Sequence, residues 1–288
     1  MAYIFSLAGS LFFSYASIYY TKYSRSQSSL WMNICKSGVA LLAGALWLSL
    51  SASWSFESSW YYFFISGLLG LGIGDYLLLF AFSRLGAART MILWGFQPLL
   101  IGVGSYYLFA QPISLRQLVA ILLFIGCIGI FSYEKRRSDG HWGFVGLFAA
   151  LGAVTLDAGA TIISRYGFEH SVNLNVFEGQ FYRSLGALLS FFFLSLWLKP
   201  KFFKTFFHMP LKEKYFIVFI SFIGTFLAIY CGLYAIKIGH LSTIAALTIT
   251  APLFTAIFEH IHERKKPPLS FLVAIILFII GFILLLKS

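Results

Sequence analysis

The chain has 288 residues, of which 59% are hydrophobic and only 11% are charged, and its formal net charge is +11. Soluble domains carry about 25% charged residues, and a soluble core at this length could not bury so much apolar surface. The composition therefore excludes a soluble globular protein and predicts an all-α membrane protein. Because the basic residues lie in short loops between apolar runs, they have the pattern of membrane topology signals rather than of nucleic-acid binding.

Ten apolar runs are long enough to cross a bilayer as helices, since a hydrocarbon core of about 30 Å requires roughly 20 residues. The first run lacks the basic segment and cleavage site of a signal peptide, so we expect a retained helix. The connections are short, so consecutive helices should be antiparallel. The predicted spans are 2–21, 30–50, 60–82, 89–109, 115–133, 143–164, 176–198, 214–236, 242–261 and 269–287.

The second and seventh spans carry the same unusual pattern. Asn33–Leu42 and Gln180–Leu189 each place an amide, a cation and a serine early in an apolar run and end in the same Ala-Leu-Leu. A cation within a hydrophobic helix is energetically unfavourable, so its repetition indicates an internal duplication. The matched residues are Asn33 with Gln180, Lys36 with Arg183, and Ser37 with Ser184.

The duplication extends along both halves of the chain. Ser14 falls opposite Asp157, and Gln-Pro-Leu at 97–99 corresponds to Ala-Pro-Leu at 251–253. Five helices in each half is an odd number, so the second half must enter the membrane in the opposite sense to the first. Such inverted repeats are common among secondary transporters. We place the two repeats at residues 1–134 and 143–288.

Several positions in both halves also carry a family resemblance. They are Ala235 to Gly239, Ser242, Thr243, Pro252, Leu253, Glu263 and Gly281, and in the first half Ala81, Gly86, Thr90, Pro98, Leu99 and Gly126. In these residues the chain resembles the EamA-type repeat of the drug/metabolite transporter superfamily, although Gln111 stands where that family usually has a glutamate. The resemblance implies a ten-helix carrier with a central cavity, often an exporter of amino acids or similar metabolites.

Four ionisable residues are predicted at membrane depth, where charge is costly and each one is a candidate for function. At about 1.5 Å per residue, Lys36 and Asp75 both lie about 10 Å from the face that carries loop 22–29, here called face A. Arg183 and Asp157 both lie about 10 Å from the opposite face, face B. The spacing predicts two stations of opposite charges, one toward each mouth of a cavity.

Two interpretations of these charges remain open. In the first, each acid neutralises its neighbouring base and Lys36 extends to the membrane interface. In the second, the charges line a cavity and bind a substrate that carries both signs, or an organic anion at the cations alone. We favour the second, because apolar residues would make these helices more stable in lipid. Asn33 and Gln180 lie one turn before the cations, where they orient the cations, bind substrate or hydrogen-bond between helices.

Further residues are candidates for shaping the cavity or for allowing it to move. Glu178, near a helix start, suits the helix dipole and is a weaker candidate. Pro98 and Pro252 are expected to break or kink their helices and to act as hinges. The remaining candidates for substrate binding, some with cation–π contact available, are Ser14, Tyr15, Trp94 and Tyr230.

The sequence predicts no metal site, cofactor or catalytic centre. Glu259, His260, His262 and Glu263 have His-x-His spacing at a helix end rather than His-x-x-x-His on one face. The cysteines at 35, 127 and 231 all fall inside apolar runs, so we expect them to be buried core residues rather than members of disulfides. Because no nucleophile and base have the required spacing, an enzyme is not expected.

The lysines and arginines are distributed unequally between the two faces. Outside the spans or at their edges, face A has fifteen of these residues and face B has four. By the positive-inside rule, face A is the cytoplasmic face of the cell (inner) membrane, and both termini lie on its outer side. The resembled family more often has both termini inside, so the two indications conflict, and we follow the charge count.

The leading hypothesis is a secondary transporter that moves a small polar or amphipathic metabolite, such as an amino acid, by alternating access. It would act as a monomer or a homodimer, either by facilitated exchange or by proton coupling at Asp75 or Asp157. One alternative is a phosphorylated-metabolite antiporter or lipid-linked cargo flippase that binds phosphate at Lys36 and Arg183. The other alternative is a non-transporting membrane scaffold.

Overall fold

The computed structural model describes residues 1–110, 114–116, 118–123, 125–126, 130, 144–248, 250–263, 273, 276–277, 279–281 and 283–284. Within these residues the chain folds into helices. They are α1 (Ala2–Ser26), α2 (Ser29–Ser51), α3 (Trp60–Ser66), α4 (Asp75–Leu85), α5 (Ala87–Leu93), α6 (Gln97–Phe109), α7 (Phe144–Glu169), α8 (Val176–Leu198), α9 (Phe202–His208), α10 (Leu211–Ser221), α11 (Ala228–Ile238), α12 (Leu241–Thr248) and α13 (Thr250–Glu263).

Six helical stretches are long and apolar enough to cross a membrane. They are Ala2–Ser26, Ser29–Ser51, Trp60–Leu85, Phe144–Glu169, Val176–Leu198 and Leu211–Ile238. The first and sixth predicted spans each continue five residues beyond their predicted ends, to 26 instead of 21 and to 169 instead of 164. Their last turns are polar, so the length of the apolar run underestimates the length of the helix. The chain is therefore an all-α membrane protein, as predicted.

The other predicted spans are only partly described. The fourth appears as α5 and α6, joined by a 3₁₀ turn at Trp94–Phe96, and the ninth corresponds to α12 and α13. The fifth and tenth, 115–133 and 269–287, are described at only part of their residues, and Gln111 and Cys127 lie outside the described residues.

The second helix of each repeat starts with the same kind of cap. The Ser28 side chain accepts a hydrogen bond from the Trp31 N–H at 3.0 Å, and the Asn175 side chain accepts one from the Glu178 N–H at 2.9 Å. Such caps satisfy N–H groups that have no partner within the helix. Both caps lie eight residues before the cation of their helix, since 36 − 28 and 183 − 175 are both 8. The duplication is therefore present in the local structure.

The equivalent helices α2 and α8 pack against each other in opposite directions. Near the start of α2, Trp31 Nε1 donates to the backbone oxygen of Phe202, which follows the end of α8, at 3.4 Å. Beyond the end of α2, the Ser55 N–H donates to Glu178 at the start of α8, at 3.0 Å. Repeat-related helices that run antiparallel are what an inverted repeat requires.

The third span of each repeat contains a π-helical segment, Gly67–Gly74 in the first and Phe222–Leu227 in the second. Glycines in the first segment allow close contact with the second repeat. A Cβ built on Gly67 would lie 2.0 Å from the Arg183 backbone oxygen, and one on Gly70 would lie 2.6 Å from another Cβ, that of Ala160. In lipid, such close packing and interhelical hydrogen bonds hold helices together, so these glycines bring the two repeats into contact.

Candidate functional site

A cavity of about 170 Å³ lies between the two repeats. All four ionisable residues predicted at membrane depth line it, together with Gln97 and Trp94. The four are Lys36, Asp75, Asp157 and Arg183. The prediction of two separate stations is therefore wrong, because the glycine contacts of the third span bring both repeats to a shared cavity. A Cβ on Gly70 would lie 3.6 Å from both Arg183 Nη2 and Asp157 Oδ1.

Lys36 and Asp75 form an ion pair across α2 and α4. The Lys36 side chain is 1% exposed, and its Nζ also lies 5.4 Å from the centroid of the Tyr20 ring. Lys36 therefore does not extend to the membrane interface. Because buried charges are tolerated when each is compensated, the pairing interpretation is confirmed for this couple, and Lys36 presents little uncompensated charge to the cavity.

Arg183 is a buried cation without a direct partner among the described residues. It is 4% exposed, and its Nε is buried without a hydrogen bond. No ion pair or hydrogen bond from another described residue reaches its guanidinium, although Asp157 attracts it from a longer distance. A guanidinium has five N–H donors in a planar fork that matches a carboxylate. The side chain is therefore equipped to bind an anionic group that enters the cavity.

Asp157 is held from the other side of the cavity. Gln97 Nε2 donates to Asp157 Oδ2, and Gln97 Oε1 accepts from Thr248 Oγ1 at 3.4 Å. At the repeat-related location, Ser14, which does not line the cavity, donates to the Ala251 backbone oxygen at 2.8 Å. The Gln97–Asp157 contact between the repeats thus corresponds to the Ser14–Ala251 contact, in which a hydroxyl stands in place of the acid and a backbone carbonyl in place of the amide. This difference makes the cavity chemically asymmetric.

Asn33 and Gln180 connect the second helix of each repeat to a third span. Asn33 Nδ2 donates to the Asp75 backbone oxygen at 3.1 Å, and Gln180 Nε2 donates to the Thr225 backbone oxygen at 3.2 Å. Both acceptors lie within or directly after a π-helical segment. The amides are buried and do not line the cavity, so their position matches hydrogen bonding between helices.

The predicted aromatic residues have different positions. Trp94, in the 3₁₀ turn before α6, lines the cavity. Tyr15 lies outside the lining and packs with Tyr19, with ring centroids 5.5 Å apart. Tyr230 also lies outside it and stacks on Phe177 at 4.3 Å. Only the first of these three rings is placed to touch a molecule in the cavity.

The two predicted hinge prolines lie near helix starts. Pro98 is in the first turn of α6, directly after the 3₁₀ turn. The backbone of Pro252 lies near the start of α13. Proline lacks the N–H that would bond to the preceding turn, so both positions lie where a span lacks regular helical pairing.

Glu178 anchors a loop at face B and does not line the cavity. Its carboxylate accepts hydrogen bonds from the Ser55 N–H at 3.0 Å, from Ser55 Oγ at 2.6 Å and from the Phe56 N–H at 3.0 Å. The carboxylate is therefore fully engaged by the loop between the second and third spans.

The part of the chain that the structure describes has no group of three or more His, Cys, Asp or Glu side chains that could hold a metal ion. The side chains of the sequence cluster at the end of α13 lie outside the described residues. They are Glu259, His260, His262 and Glu263.

Gln97 and Thr248 line the cavity but were not identified as site residues from the sequence. Gln97 had a usable signal, because Gln-Pro-Leu in one repeat corresponds to Ala-Pro-Leu in the other. Gln97 is polar and directly precedes a proline, whereas the equivalent residue of the other repeat is apolar. This difference indicates that Gln97 has a role other than helix packing. Thr248 had no comparable signal in an apolar run.

Comparisons with known proteins agree with this architecture. A sequence model of the EamA-like transporter family matches residues 1–133 and again residues 144–287. A solved structure titled "Crystal structure of protein" is similar with a TM-score of 0.78 at 14% identity, and the match covers 98% of this chain and 95% of that one. A search of curated proteins finds no match.

Proposed function

Because the chain belongs to the EamA-like transporter family, and is thus a multi-pass membrane transporter, we propose that it moves a small polar or amphipathic metabolite by alternating access. Amino acids are the leading substrate class. The observation that carries the proposal is the buried Arg183 on the wall of the central cavity, whose guanidinium has no ion pair or hydrogen bond to another described residue. Such a charge lowers stability in lipid, and a substrate carboxylate would compensate it.

The charge balance of the cavity favours a zwitterion. Among the described residues, two cations and two acids line it, so their formal charges sum to zero. A substrate carboxylate would bind Arg183, and a substrate amino group would bind Asp157 Oδ1, the oxygen that Gln97 does not engage. A phosphate dianion would instead add two uncompensated negative charges in a medium of low dielectric constant. The phosphorylated-metabolite alternative is therefore less favoured.

The volume of the cavity favours a small solute. An apolar cavity of about 150 Å³ binds a molecule the size of benzene, which is close to the 170 Å³ here. This space suits a small amino acid better than the headgroup and linker of a lipid-linked cargo. A scaffold without transport would gain stability by replacing the unpartnered cation with an apolar residue, so the unpartnered cation also argues against that alternative.

The cavity lining extends toward face B. Ser6 lies near the start of α1 and Leu241 starts α12, and both line the cavity. On the face-A side, Tyr20, Met32 and Phe82 are fully buried in one apolar cluster. We infer a conformation accessible from face B, which movement around the prolines of α6 and α13 would convert into one open to face A. The excess of basic residues at face A makes it the cytoplasmic face.

Proton coupling, if it operates, would use Asp157 rather than Asp75. Asp75 is committed to its ion pair with Lys36, whereas Asp157 Oδ1 lies beside the cavity without a hydrogen bond from another described residue. Coupling would appear as substrate-dependent alkalinisation or acidification of a weakly buffered vesicle lumen, and its loss in Asp157→Asn would identify the group.

The direct test is efflux from proteoliposomes loaded with labelled amino acids. We expect wild-type protein to release at least one class of zwitterionic amino acid faster than empty vesicles do, and Arg183→Gln to abolish the difference. Lys204→Gln, which removes an exposed cation from face A, is the matched control and should transport normally. Equal efflux from protein-bearing and empty vesicles across the whole panel would refute the proposed substrate class.

A further inference from the structure

A second cavity of about 670 Å³ opens at face A, separate from the central one. It lies where α1 ends, α2 begins and α4 ends, and the segment after α8 closes its remaining side. All of these are helix ends at one membrane face, so the cavity lies at the depth of the lipid headgroups. It is called here the face-A pocket.

Three cations line the face-A pocket: Arg25, Arg84 and Lys201. Arg25 is oriented by a hydrogen bond from its Nε to the Ser83 backbone oxygen at 3.1 Å. The Arg84 guanidinium lies 5.3 Å from the centroid of the Phe80 ring. None of the described residues on the pocket wall is acidic, so these wall residues do not neutralise the three positive charges.

The internal repeat shows how the same location is filled in the other half of the molecule. Glu178 and Trp31 are equivalent residues, since each lies three residues after its helix cap. At face B the Glu178 carboxylate enters the loop and accepts from Ser55 and Phe56. At face A, Trp31 instead donates to a backbone oxygen and lines the open pocket. The Glu178 carboxylate thus fills this location at face B. The equivalent location at face A has no such carboxylate from the described part of the chain and is an open pocket lined by cations.

The inner wall of the face-A pocket is apolar. Leu30, Trp31, Tyr76, Phe80 and Leu198 contribute to it, and Leu198 is half exposed on the side of α8. A ligand in this pocket therefore meets positive charge at the headgroup level and apolar surface below it. That combination fits an amphiphile with an anionic head.

We propose that the face-A pocket binds the phosphate headgroup of an anionic phospholipid from the adjacent leaflet. Arg84 and Lys201 bind the phosphate oxygens, Arg25 supports them, and an acyl chain lies along Tyr76 and Phe80. Basic pockets between transmembrane helices bind anionic headgroups in this way. The pocket is distinct from the central cavity, so this lipid is a bound structural ligand and not the transported solute.

The test is a titration of purified full-length protein in a non-ionic detergent, with the thermal unfolding midpoint as readout. Phosphatidylglycerol is compared with phosphatidylcholine and with inorganic phosphate. The variant Arg84→Gln/Lys201→Gln retains Arg25 and its hydrogen bond. The matched control, Lys204→Gln/Lys212→Gln, removes two exposed face-A charges from outside the pocket.

Phosphatidylglycerol should raise the midpoint of wild-type and control protein, with an apparent affinity about 30-fold weaker in the pocket variant. Equal affinity in the pocket variant and the control would overturn the proposed site. Equal stabilisation by phosphatidylcholine would exclude recognition of charge, and full stabilisation by inorganic phosphate would assign the pocket to a soluble anion instead of a lipid. A failure of all three additives to raise the wild-type midpoint would also overturn the proposal.

Discussion

Lys36 and Arg183 occupy equivalent positions in the two repeats, yet the structure predicts that replacing each with methionine changes stability in opposite directions. Lys36→Met leaves the buried Asp75 carboxylate without its cation, and breaking one side of a buried pair costs about 3–5 kcal/mol. Arg183→Met removes a buried charge that has no direct partner among the described residues. Placing such a charge in a membrane helix costs about 2.5–3.5 kcal/mol, offset in part by its attraction to Asp157.

These energies can be converted into shifts of the unfolding midpoint. An unfolding entropy of about 2.1 cal/mol/K per residue gives roughly 0.6 kcal/mol/K for this chain, so 1 kcal/mol corresponds to about 2 °C. Lys36→Met should lower the midpoint by about 5–8 °C. Arg183→Met should raise it by about 2–4 °C, because roughly half of the insertion cost is recovered. Thermal unfolding of the purified protein in detergent, followed by tryptophan fluorescence, measures both shifts.

A double variant controls for the loss of side-chain volume. Replacing both members of a buried ion pair by apolar residues is often neutral or stabilising, so Lys36→Met/Asp75→Leu should restore the midpoint that Lys36→Met lowers. If Arg183→Met lowered the midpoint as much as Lys36→Met, Arg183 would have a partner in the folded protein. The assignment of Arg183 as a free binding group would then be refuted.

Three further predictions concern the supporting residues. Gln97→Leu should weaken substrate binding by about tenfold, because Asp157 is released from its hydrogen bond and pairs with Arg183; unchanged affinity in a binding titration would contradict this. Gly67→Ala should destabilise the fold by several kcal/mol or prevent expression, since its Cβ would lie 2.0 Å from the Arg183 backbone oxygen; a normal yield and midpoint would refute the close contact. Glu178→Gln should lower the unfolding midpoint by about 4 °C through loss of charge-assisted hydrogen bonds and leave substrate affinity unchanged, so altered affinity at a normal midpoint would give this residue a role in the cavity.

The duplicated architecture could be predicted from the sequence because its signals are local. Apolar run lengths locate membrane helices, and the matched cations at 36 and 183 align the repeats. The structure agrees at the level of single hydrogen bonds, since Ser28 and Asn175 cap equivalent helices. The four charges predicted at membrane depth line one cavity, and their cost in lipid makes them conspicuous in the sequence.

The geometry of the cavity could not be predicted, because depth along a helix gives no information on rotation or lateral position. Lys36 and Arg183 were placed at different depths, yet both line one cavity. The glycines of the π-helical segment Gly67–Gly74 allow the third span to pack closely against α8, and an apolar glycine-rich run does not distinguish a π segment from a regular helix. The shared depth of Lys36 and Asp75 indicated which acid lies near which base, and these two residues do form an ion pair. Whether a direct ion pair forms depends on the packing, so the different states of the two cations had no signal in the sequence.

The central claim, that Arg183 binds the carboxylate of the transported solute, is tested most directly by comparing an amino acid with its carboxamide. In proteoliposome counterflow, wild-type protein should transport the amino acid at least tenfold better than the carboxamide, since a charged hydrogen-bonded pair contributes about 1.5–3 kcal/mol. Arg183→Met should transport the amino acid no better than the carboxamide, while it still unfolds cooperatively at the slightly raised midpoint expected above. A preference that survives in Arg183→Met would contradict the claim and assign recognition of the carboxylate to another group.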